Sequence, residues 1–326
     1  MSKLIGTARY LPPKIVDNKD LVQFPEKYRN VIADKAGVLS RRHVENECTS
    51  DIGAKAVDSL LRKFNIERDS VEIVICATSS PDRMQPATAT RIQDICGLKN
   101  AYAFDVNSVC SSAVYAMKLA SSLVNDGANN VIVVASEVYS KILNPAELKS
   151  YPYFGDGAAA ALITDDSDLR EGYELIDFVL GSDGSGSDII QVPAGGTMLP
   201  SWKVKNQKDF YFKMDGRKVY DFACDKGTKV IDLLSHRNKV VPGVVVPHQA
   251  NANVIKEIAN RAGLDESLFF INLDKYANTA GASVLIALDE LLEQNNDVDD
   301  VFLVVFGGGL SWGGCYLRKT HCGVKK

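Results

Sequence analysis

The sequence lacks the segments that would carry it into or across a membrane. Its first residues, "MSKLIGTARYLPPK", contain no long apolar stretch, and no part of the chain approaches about 18 consecutive apolar residues. It also lacks a long basic run, and its net charge is −4, which argues against sequence-independent binding of nucleic acid. We therefore expect a cytoplasmic protein that acts neither on nucleic acid nor in a membrane.

Paired cysteine motifs are absent too. The seven cysteines are scattered without a C-x-x-C pair, which fits reduced thiols in a reducing compartment better than a disulfide framework or a zinc site. Hydrophobic residues make up 46% of the 326 residues and charged residues 24%, ordinary values for a globular chain. The length allows one large domain or two fused halves.

Helical segments followed by buried strands recur along the chain. Such units cover 51–80 and 111–137 in the first half, and 216–251 and 278–309 in the second. Their continuous β-branched runs are typical of parallel strands buried on both faces. We interpret the chain as an α/β protein built from two copies of one unit, 1–170 and 171–326. The Gly-, Ser- and Pro-rich stretch 182–207 between them is predicted to be mostly loop.

Three reactive side chains fall at comparable places in the two copies. Cys110 stands where a strand gives way to a helix, His248 follows the strand "VVVP", and Asn278 precedes the helix that corresponds to the one after Cys110. Ligand sites of parallel sheets form outside the carboxyl ends of their strands. We therefore expect the three side chains to face one crevice.

The residue types suit acyl chemistry. A thiol at a helix N-terminus is exposed to unpaired N–H groups, which can lower a cysteine pKa from about 8.5 to roughly 3.5–7.5 and make Cys110 a nucleophile. His248 and Asn278 can each donate a hydrogen bond to an oxyanion or enolate, a contact worth about 3 to 4 kcal/mol elsewhere. Other interpretations are a packed cysteine, a structural histidine and an Asn278 that only caps a helix.

Other conspicuous residues carry weaker signals. The "GGG" at 307–309 lacks the Lys-Ser/Thr of a phosphate-binding loop, so close approach of the backbone to a substrate carbonyl is the better interpretation. Asp156 is expected to tie a turn through its side chain. We expect His43 to be solvated and the cysteines other than Cys110 to be structural.

Six motifs together resemble one family. They are "SVCSSAVYAM", "FGDGAAAALI", "FKMDGRKVY", "VVVPHQAN", "YANTAGAS" and "VFGGGLSWGG", and they occur in this order over nearly the whole chain. This combination resembles the ketoacyl-acyl carrier protein synthase III branch of the thiolase superfamily.

The resemblance implies a fold, an assembly and a reaction. The fold would be the duplicated, five-layered αβαβα thiolase fold, and the assembly a homodimer. Cys110, His248 and Asn278 would form a catalytic triad, with the backbone N–H groups of Cys110 and Gly308 holding the oxyanion. Cys110 would accept an acyl group from a thioester and then undergo decarboxylative Claisen condensation with a malonyl thioester, in fatty-acid or polyketide-like metabolism, without a cofactor or a metal.

Three positions depart from the family pattern and concern the substrate. The run "YRNVIADKAGVLSRR" lacks the tryptophan that stacks on coenzyme A, and Lys35 takes the place of an arginine. Asn253 replaces an arginine that docks the carrier protein, although Lys256 and Arg261 remain on the same predicted helix. Gln85 stands where a large apolar residue often closes the acyl tunnel from the partner subunit.

These departures favour an acyl carrier protein over coenzyme A as the donor, while a coenzyme A thioester remains open. Three other functions stay open as well. One is an acyltransferase that forms an ester or amide, and another is a non-catalytic subunit of a heteromeric synthase. The third is a cysteine hydrolase, in which a histidine would act as general base.

Overall fold

The computed structural model describes residues 2–165, 170–295 and 297–320. Within these residues the chain forms thirteen strands and nine helices joined by short 3₁₀ turns. The strands are β1 Ser2–Tyr10, β2 Ile15–Asp17, β3 Ser40–Arg42, β4 Ile73–Ala77, β5 Tyr102–Val106, β6 Val131–Glu137, β7 Gly157–Asp165, β8 Tyr173–Ser182, β9 Ile190–Gln191, β10 Lys213–Met214, β11 Val244–Pro247, β12 Asp300–Gly307 and β13 Ser311–Lys319. The helices are α1 Glu26–Arg29, α2 Ile32–Ala36, α3 Thr49–Lys63, α4 Thr88–Ile95, α5 Ser112–Asn125, α6 Gly216–Asn238, α7 Ala252–Ala262, α8 Leu273–Tyr276 and α9 Ser283–Gln294.

Nine of the described strands form one sheet in the order β11-β12-β13-β8-β1-β7-β6-β4-β5. The predicted buried runs are parallel to their neighbours, since β4 pairs in parallel with β5 and β6, and β11 with β12. The remaining pairs of this sheet are antiparallel, so the sheet is mixed where the sequence predicted parallel strands. In each half one antiparallel strand, β7 or β13, connects the parallel strands to the central strands β1 and β8.

Alternating side chains of the strands face two different helix layers, because successive residues of a strand point to opposite faces. One face of each sheet half packs on α5 and α9, whose apolar residues join both halves in one core. The opposite face of the first half packs on α3 and α4, and that of the second half on α6 and α7. The layers therefore run helix, sheet, helix, sheet, helix, the five-layered αβαβα arrangement of the α/β thiolase fold.

The strand order is mirrored between the two halves. From the centre outwards the first half reads β1, β7, β6, β4, β5, and the second reads β8, β13, β12, β11, followed by a parallel bridge from Val245 to Phe269. This symmetry supports a duplicated unit. We keep the division into 1–170 and 171–326 as a proposal, since 166–169 lie outside the described residues.

The symmetry also places the start of α9 opposite the start of α5. Each helix follows a short 3₁₀ turn, Val109–Ser111 before α5 and Ala280–Ala282 before α9. The segment 182–207 is mostly irregular, as predicted, apart from short turns and the two-residue strand β9. Among the described residues, no helix has both the length and the apolar character needed to span a bilayer.

Candidate active site

Cys110 lies on a tight turn between β5 and α5. The preceding residue, Val109, has φ 48°, a left-handed conformation that β-branched residues rarely adopt. Strain of this kind persists only where the surrounding structure imposes it. The turn holds the Cys110 side chain at the wall of a cavity, with 7% of the residue exposed.

Gly307, at the end of β12, lies directly against Cys110. A Cβ atom at this position would be 2.8 Å from the backbone nitrogen of Cys110 and 2.9 Å from its Cβ. Only a residue without a side chain allows the strand to approach the turn this closely. The neighbouring Gly308 instead faces Val109 and Ile190, where an added Cβ would meet their side chains at 3.0 and 3.3 Å.

His248 follows β11, and only 2% of the residue is exposed. Its Nδ1 atom lies 2.5 Å from the hydroxyl oxygen of Ser283, the first residue of α9. Burial lowers the pKa of the imidazole to about 3, so the ring is neutral across the physiological range. The ring edge also packs on Phe306, with 5.4 Å between the ring centroids.

Asn278 is held by its backbone and by one side-chain atom. Its N–H donates to the carbonyl of Tyr153 at 3.0 Å, and its carbonyl accepts from Gly155 N–H at 3.0 Å. The side-chain oxygen Oδ1 accepts from the N–H of Ala280 at 2.8 Å. Asn278 therefore ties the turn before the 3₁₀ segment Ala280–Ala282 but is not the N-cap residue, which is Thr279 for that segment and Ala282 for α9. Its amide NH₂ group is left as the group that can donate into the cavity.

The three side chains line one cavity of about 230 Å³. Its wall is mainly apolar and includes Phe154 and Phe212, which meet edge-on at 5.2 Å between ring centroids. The ring of Phe154 also stacks on that of Tyr139, at 5.0 Å, outside the wall itself. An enclosed apolar site strengthens each hydrogen bond inside it and keeps water out. The arrangement can hold an acyl chain beside a thiol and two N–H donors.

The protonation state of Cys110 differs from the sequence prediction. Burial raises the pKa of the thiol well above its ordinary value, and the nearby carboxylate of Glu137 raises it further. The unliganded site therefore holds a thiol, where the helix N-terminus alone predicted a thiolate. Desolvation of the charge outweighs the partial charge at the end of the helix.

Glu137 is the last residue of β6 and is fully buried. Its carboxylate accepts from the peptide N–H groups of Ser79, Ser80 and Gly281 at 3.0 to 3.3 Å, and from serine hydroxyls at 2.5 to 2.8 Å. Burial raises the pKa of this carboxyl to about 7, against hydrogen bonds that lower it. The residue ties the loop at Ser79 and Ser80 to the segment at Gly281.

Two lysines flank the mouth of the cavity. Lys35 on α2 and Lys149 are both exposed and both line it. Asn253 does not present its amide to a partner, because its Nδ2 donates to the carbonyl of Lys35 at 3.0 Å. Asn253, which stands where the family has a docking arginine, therefore anchors the segment that carries Lys35. Tyr28, the tyrosine of the run that lacks the stacking tryptophan, does not line the cavity.

The other predicted contact residues lie away from the cavity wall. Lys256 and Arg261 are exposed on α7, where each pairs with a carboxylate, Glu266 at 3.3 Å and Glu257 at 2.7 Å. Gln85 is exposed on the loop before α4 and does not line the cavity of its own chain.

Asp156 does not tie a local turn, as predicted, but joins two distant segments, by accepting from the N–H groups of Val44 and Ser140 at 2.9 Å and from the Ser140 hydroxyl at 2.6 Å. The prediction for His43 was wrong, because it is only 6% exposed and packs edge-on against Tyr151. Desolvation lowers the pKa of its imidazole.

Among the described residues, Cys110 is the one cysteine that lines the cavity. Cys76, Cys96, Cys224 and Cys315 are buried, and all six described cysteines are free. Cys48 is half-buried at the start of α3, where its N–H donates to Asp51 Oδ2 at 2.9 Å. Cys322 lies outside the described residues.

Three residues of this site were not found from the sequence. Ser283 had a usable signal, since it closes the "YANTAGAS" motif five residues after Asn278. Lys149 and Glu137 had none, because a lysine in a loop and a glutamate after a strand are common. Their roles depend on which parts of the chain pack together.

Comparison with known proteins gives matches over most of the chain. Residues 104–184 match the family profile "3-Oxoacyl-[acyl-carrier-protein (ACP)] synthase III", residues 242–319 match the profile of its C-terminal part, and residues 32–142 match "Thiolase, N-terminal domain". The beta-ketoacyl-[acyl-carrier-protein] synthase III of Natranaerobius thermophilus is 34% identical over 97% of this chain and 99% of its own.

Solved structures agree with this match. The 3-oxoacyl-[acyl-carrier-protein] synthase III of Aquifex aeolicus superposes with a TM-score of 0.87 and 28% identity, covering 98% of this chain and 100% of its own. The priming beta-ketosynthase of the R1128 polyketide pathway has a TM-score of 0.86 and 25% identity, covering 98% and 96%.

Proposed function

Since the chain belongs to the 3-oxoacyl-[acyl-carrier-protein] synthase III family, we propose that Cys110 is the nucleophile of a condensing enzyme of this kind, with His248 and Asn278 as its N–H donors. The enzyme is an acyltransferase that makes a carbon–carbon bond, in fatty-acid or polyketide-like biosynthesis. The observation that supports these roles is that the Cys110 thiol, the His248 imidazole and the Asn278 amide all line one mainly apolar cavity. No cofactor takes part in the proposed reaction.

The first step transfers an acyl group to Cys110. The sulfur attacks the carbonyl carbon of an acyl thioester, and the resulting oxyanion accepts hydrogen bonds from the N–H groups of Cys110 and Gly308. The bond from this carbon to the donor sulfur then breaks. Because burial keeps Cys110 protonated at rest, its proton leaves as the attack occurs and ends on the departing thiol. The products are acyl-Cys110 and a free carrier thiol.

The second step uses a malonyl thioester. Its carboxylate leaves as CO₂, and the electron pair of the broken C–C bond forms an enolate whose oxygen accepts hydrogen bonds from His248 and Asn278. The α-carbon attacks the carbonyl carbon of acyl-Cys110, the C–S bond to Cys110 breaks, and the thiolate takes up a proton from solvent. The product is a 3-oxoacyl thioester.

The neutral His248 disfavours the hydrolase alternative. A cysteine hydrolase needs a histidine base, whereas burial holds the pKa of His248 near 3 and its ring nitrogen is paired with a serine. An ester- or amide-forming acyltransferase would share the first step and differ in the second substrate. A non-catalytic subunit would not need three reactive residues in one cavity.

Intact-mass analysis after exposure to a panel of acyl thioesters tests the proposal. The parent should gain one acyl group and keep it until a malonyl thioester is added, while Cys110→Ala should gain none and retain its circular dichroism spectrum. Finding the acyl group on Cys76 or Cys224, or spontaneous loss of the group to water, would overturn the assignment.

We propose an acyl carrier protein as the donor or acceptor of the acyl chain. Residues 201–218 carry six cationic and two acidic side chains and are continuous with the cavity wall through Phe212 and Met214. Lys213 and Lys218 pair with neighbouring aspartates, but the other four cations of 201–218 make no ion pair within the described residues. This surface attracts an acidic partner more strongly than the paired Lys256 and Arg261, which we retain as secondary contacts.

Charge reversal separates the two surfaces. Lys205→Glu with Lys208→Glu should raise KM for a carrier-bound substrate more than Lys256→Glu does, and more than it raises KM for the same acyl group on coenzyme A. Asn253→Arg should improve use of the carrier by adding a cation near Lys35. Equal use of coenzyme A by the parent, with no gain from Asn253→Arg, would instead favour coenzyme A as the donor.

We propose a homodimer as the assembly. Strand β5 is at the edge of the nine-stranded sheet, and its Tyr102 side chain is 55% exposed, with Ile95 of α4 also exposed. An uncovered edge strand of this kind pairs readily with a second copy. In such a dimer Gln85 would reach the acyl tunnel of the partner subunit. Light scattering should give twice the chain mass of 35.5 kDa, and Tyr102→Lys should reduce the measured mass.

The cytoplasmic location stays a prediction.

A further inference from the structure

The contact between His248 and Ser283 decides what the histidine can do. The two residues are 35 positions apart and are both buried, at 2% and 1% exposure, so the contact is shielded from water. The distance of 2.5 Å between Nδ1 and Oγ leaves room for one hydrogen atom between them. Whether that hydrogen belongs to the serine or to the ring determines which ring nitrogen faces the cavity as a donor.

The surroundings of Ser283 place the hydrogen on the hydroxyl. The N–H of Gln249 donates to Ser283 Oγ at 3.3 Å, so the oxygen already accepts one hydrogen bond. No other acceptor for this hydroxyl is found in the described parts of the chain. The hydroxyl therefore points its hydrogen at Nδ1 of His248, and the neutral ring carries its own hydrogen on Nε2.

We propose that Ser283 is a positioning residue that makes His248 a hydrogen-bond donor and prevents it from acting as a base. The inference rests on the proposed function only for the use of that donor, an enolate oxygen. A hydroxyl that donates to Nδ1 competes with protonation of the ring, whereas a carboxylate in the same place would accept from Nδ1–H and stabilise an imidazolium. In the described parts of the chain, the partner of Nδ1 is the Ser283 hydroxyl and no carboxylate is bonded to the ring.

This arrangement explains how an acyl-cysteine survives beside a histidine. Hydrolysis needs a group that removes a proton from water, and the Nε2–H tautomer has no lone pair to offer on the cavity side. The same atom is ready to donate to a developing enolate. One hydrogen bond from Ser283 therefore favours condensation and disfavours hydrolysis at once.

The tautomer can be read directly on the parent enzyme. The chain has four histidines, so ¹⁵N-histidine labelling gives few signals, and those of His248 are identified by their loss in His248→Ala. We expect Nδ1 of His248 to resonate as the unprotonated nitrogen and Nε2 as the protonated one, unchanged from about pH 5 to 9. A proton on Nδ1, or titration near the ordinary histidine value of about 6.5, would overturn the proposal.

Variants of Ser283 test the consequence for chemistry. Ser283→Ala should slow decarboxylation of the malonyl thioester roughly tenfold, less than the 10²–10³ that follows removal of an oxyanion donor itself, while Cys110 loads at the parental rate. Ser283→Thr keeps the hydroxyl and should restore decarboxylation. Ser121→Ala removes another buried helix hydroxyl, paired with Ser2 at 2.7 Å far along α5, and should change neither step.

Ser283→Asp supplies the carboxylate that the site excludes. It should shorten the lifetime of acyl-Cys110 in the absence of malonyl thioester, increasingly so at higher pH as the imidazole becomes a base. An unchanged lifetime in a folded Ser283→Asp, or equal decarboxylation by parent and Ser283→Ala, would refute the role of Ser283. If Cys110 does not accept an acyl group at all, the proposed function is wrong. The tautomer of His248 is measured on the parent without substrate, so that test of Ser283 is independent of loading.

Discussion

Gly307→Ala should show how far the reactivity of Cys110 depends on its position. The added Cβ would lie 2.8 Å from the nitrogen of Cys110, where ordinary contact begins at 3.4 Å, so the strand and the turn must separate by about 0.6 Å. The colliding atoms are the backbone nitrogen and the Cβ of Cys110, and neither can rotate away. The displacement therefore falls on Cys110 and on the N–H that is proposed to hold the oxyanion.

The expected magnitude follows from this displacement. Overpacking of a well-packed core costs about 1 to 3 kcal/mol of stability, and a misplacement of about 1 Å in an active site can cost about 10²-fold in rate. We expect Gly307→Ala to remain folded but to load an acyl group at least about tenfold more slowly than the parent. Stopped-flow mixing with an acyl thioester, followed by intact-mass analysis, measures the loading rate.

Gly196→Ala is the matched control, because no atom lies within 4 Å of the Cβ it would add and its backbone φ is not in the left-handed region. It should load at the parental rate with an unchanged melting temperature. Parental loading by a folded Gly307→Ala would show that the close approach of β12 to Cys110 does not position the nucleophile, and would refute the reasoning.

Three further predictions concern ionisation and the division of labour. Because burial raises the Cys110 pKa, alkylation of this residue by iodoacetamide should still be increasing above pH 9; a plateau below pH 8 contradicts this. His248→Ala and Asn278→Ala should lose decarboxylation while Cys110 still loads, and equal losses of both steps would reject the assigned roles. The raised Glu137 pKa means that the folded state holds the proton more tightly than the unfolded state. The contribution of Glu137 to stability should therefore fall by about 3 kcal/mol as pH rises from 4.5 to 7. Urea unfolding should find this as a fall in the stability of the parent relative to Glu137→Gln, and a constant difference between the two proteins contradicts it.

Local patterns in the sequence were sufficient for the main elements. The apolar run at 73–77 became β4, and the run beginning at Val131 became β6, because a continuous β-branched stretch between turn signals has few other ways to bury itself. The mixed direction of the strands was not predictable in this way. The sheet is mixed because β7 and β13 run antiparallel to their neighbours. A strand buries the same residues in either direction, so its apolar pattern does not reveal its direction.

Ion pairs on the surface and the burial of His43 could not be predicted from the sequence either. Lys256 and Arg261 suggest a basic face when α7 is considered alone, but Glu266 and Glu257 neutralise them once the chain has folded. His43 stands among charged residues in the sequence and is nevertheless buried beside Asp156 and Tyr151. In each case the deciding neighbour is placed by tertiary packing.

The identities and order of Cys110, His248 and Asn278 were determined by the sequence, because each stands at a strand end or helix start whose position local periodicity predicts. Their ionisation and orientation were decided only by the tertiary structure. Burial reversed the predicted pKa shift of Cys110, and Ser283, 35 residues from His248, selects which ring nitrogen faces the cavity. Desolvation and hydrogen bonding depend on all the atoms within a few ångströms, and folding brings those atoms from distant parts of the chain.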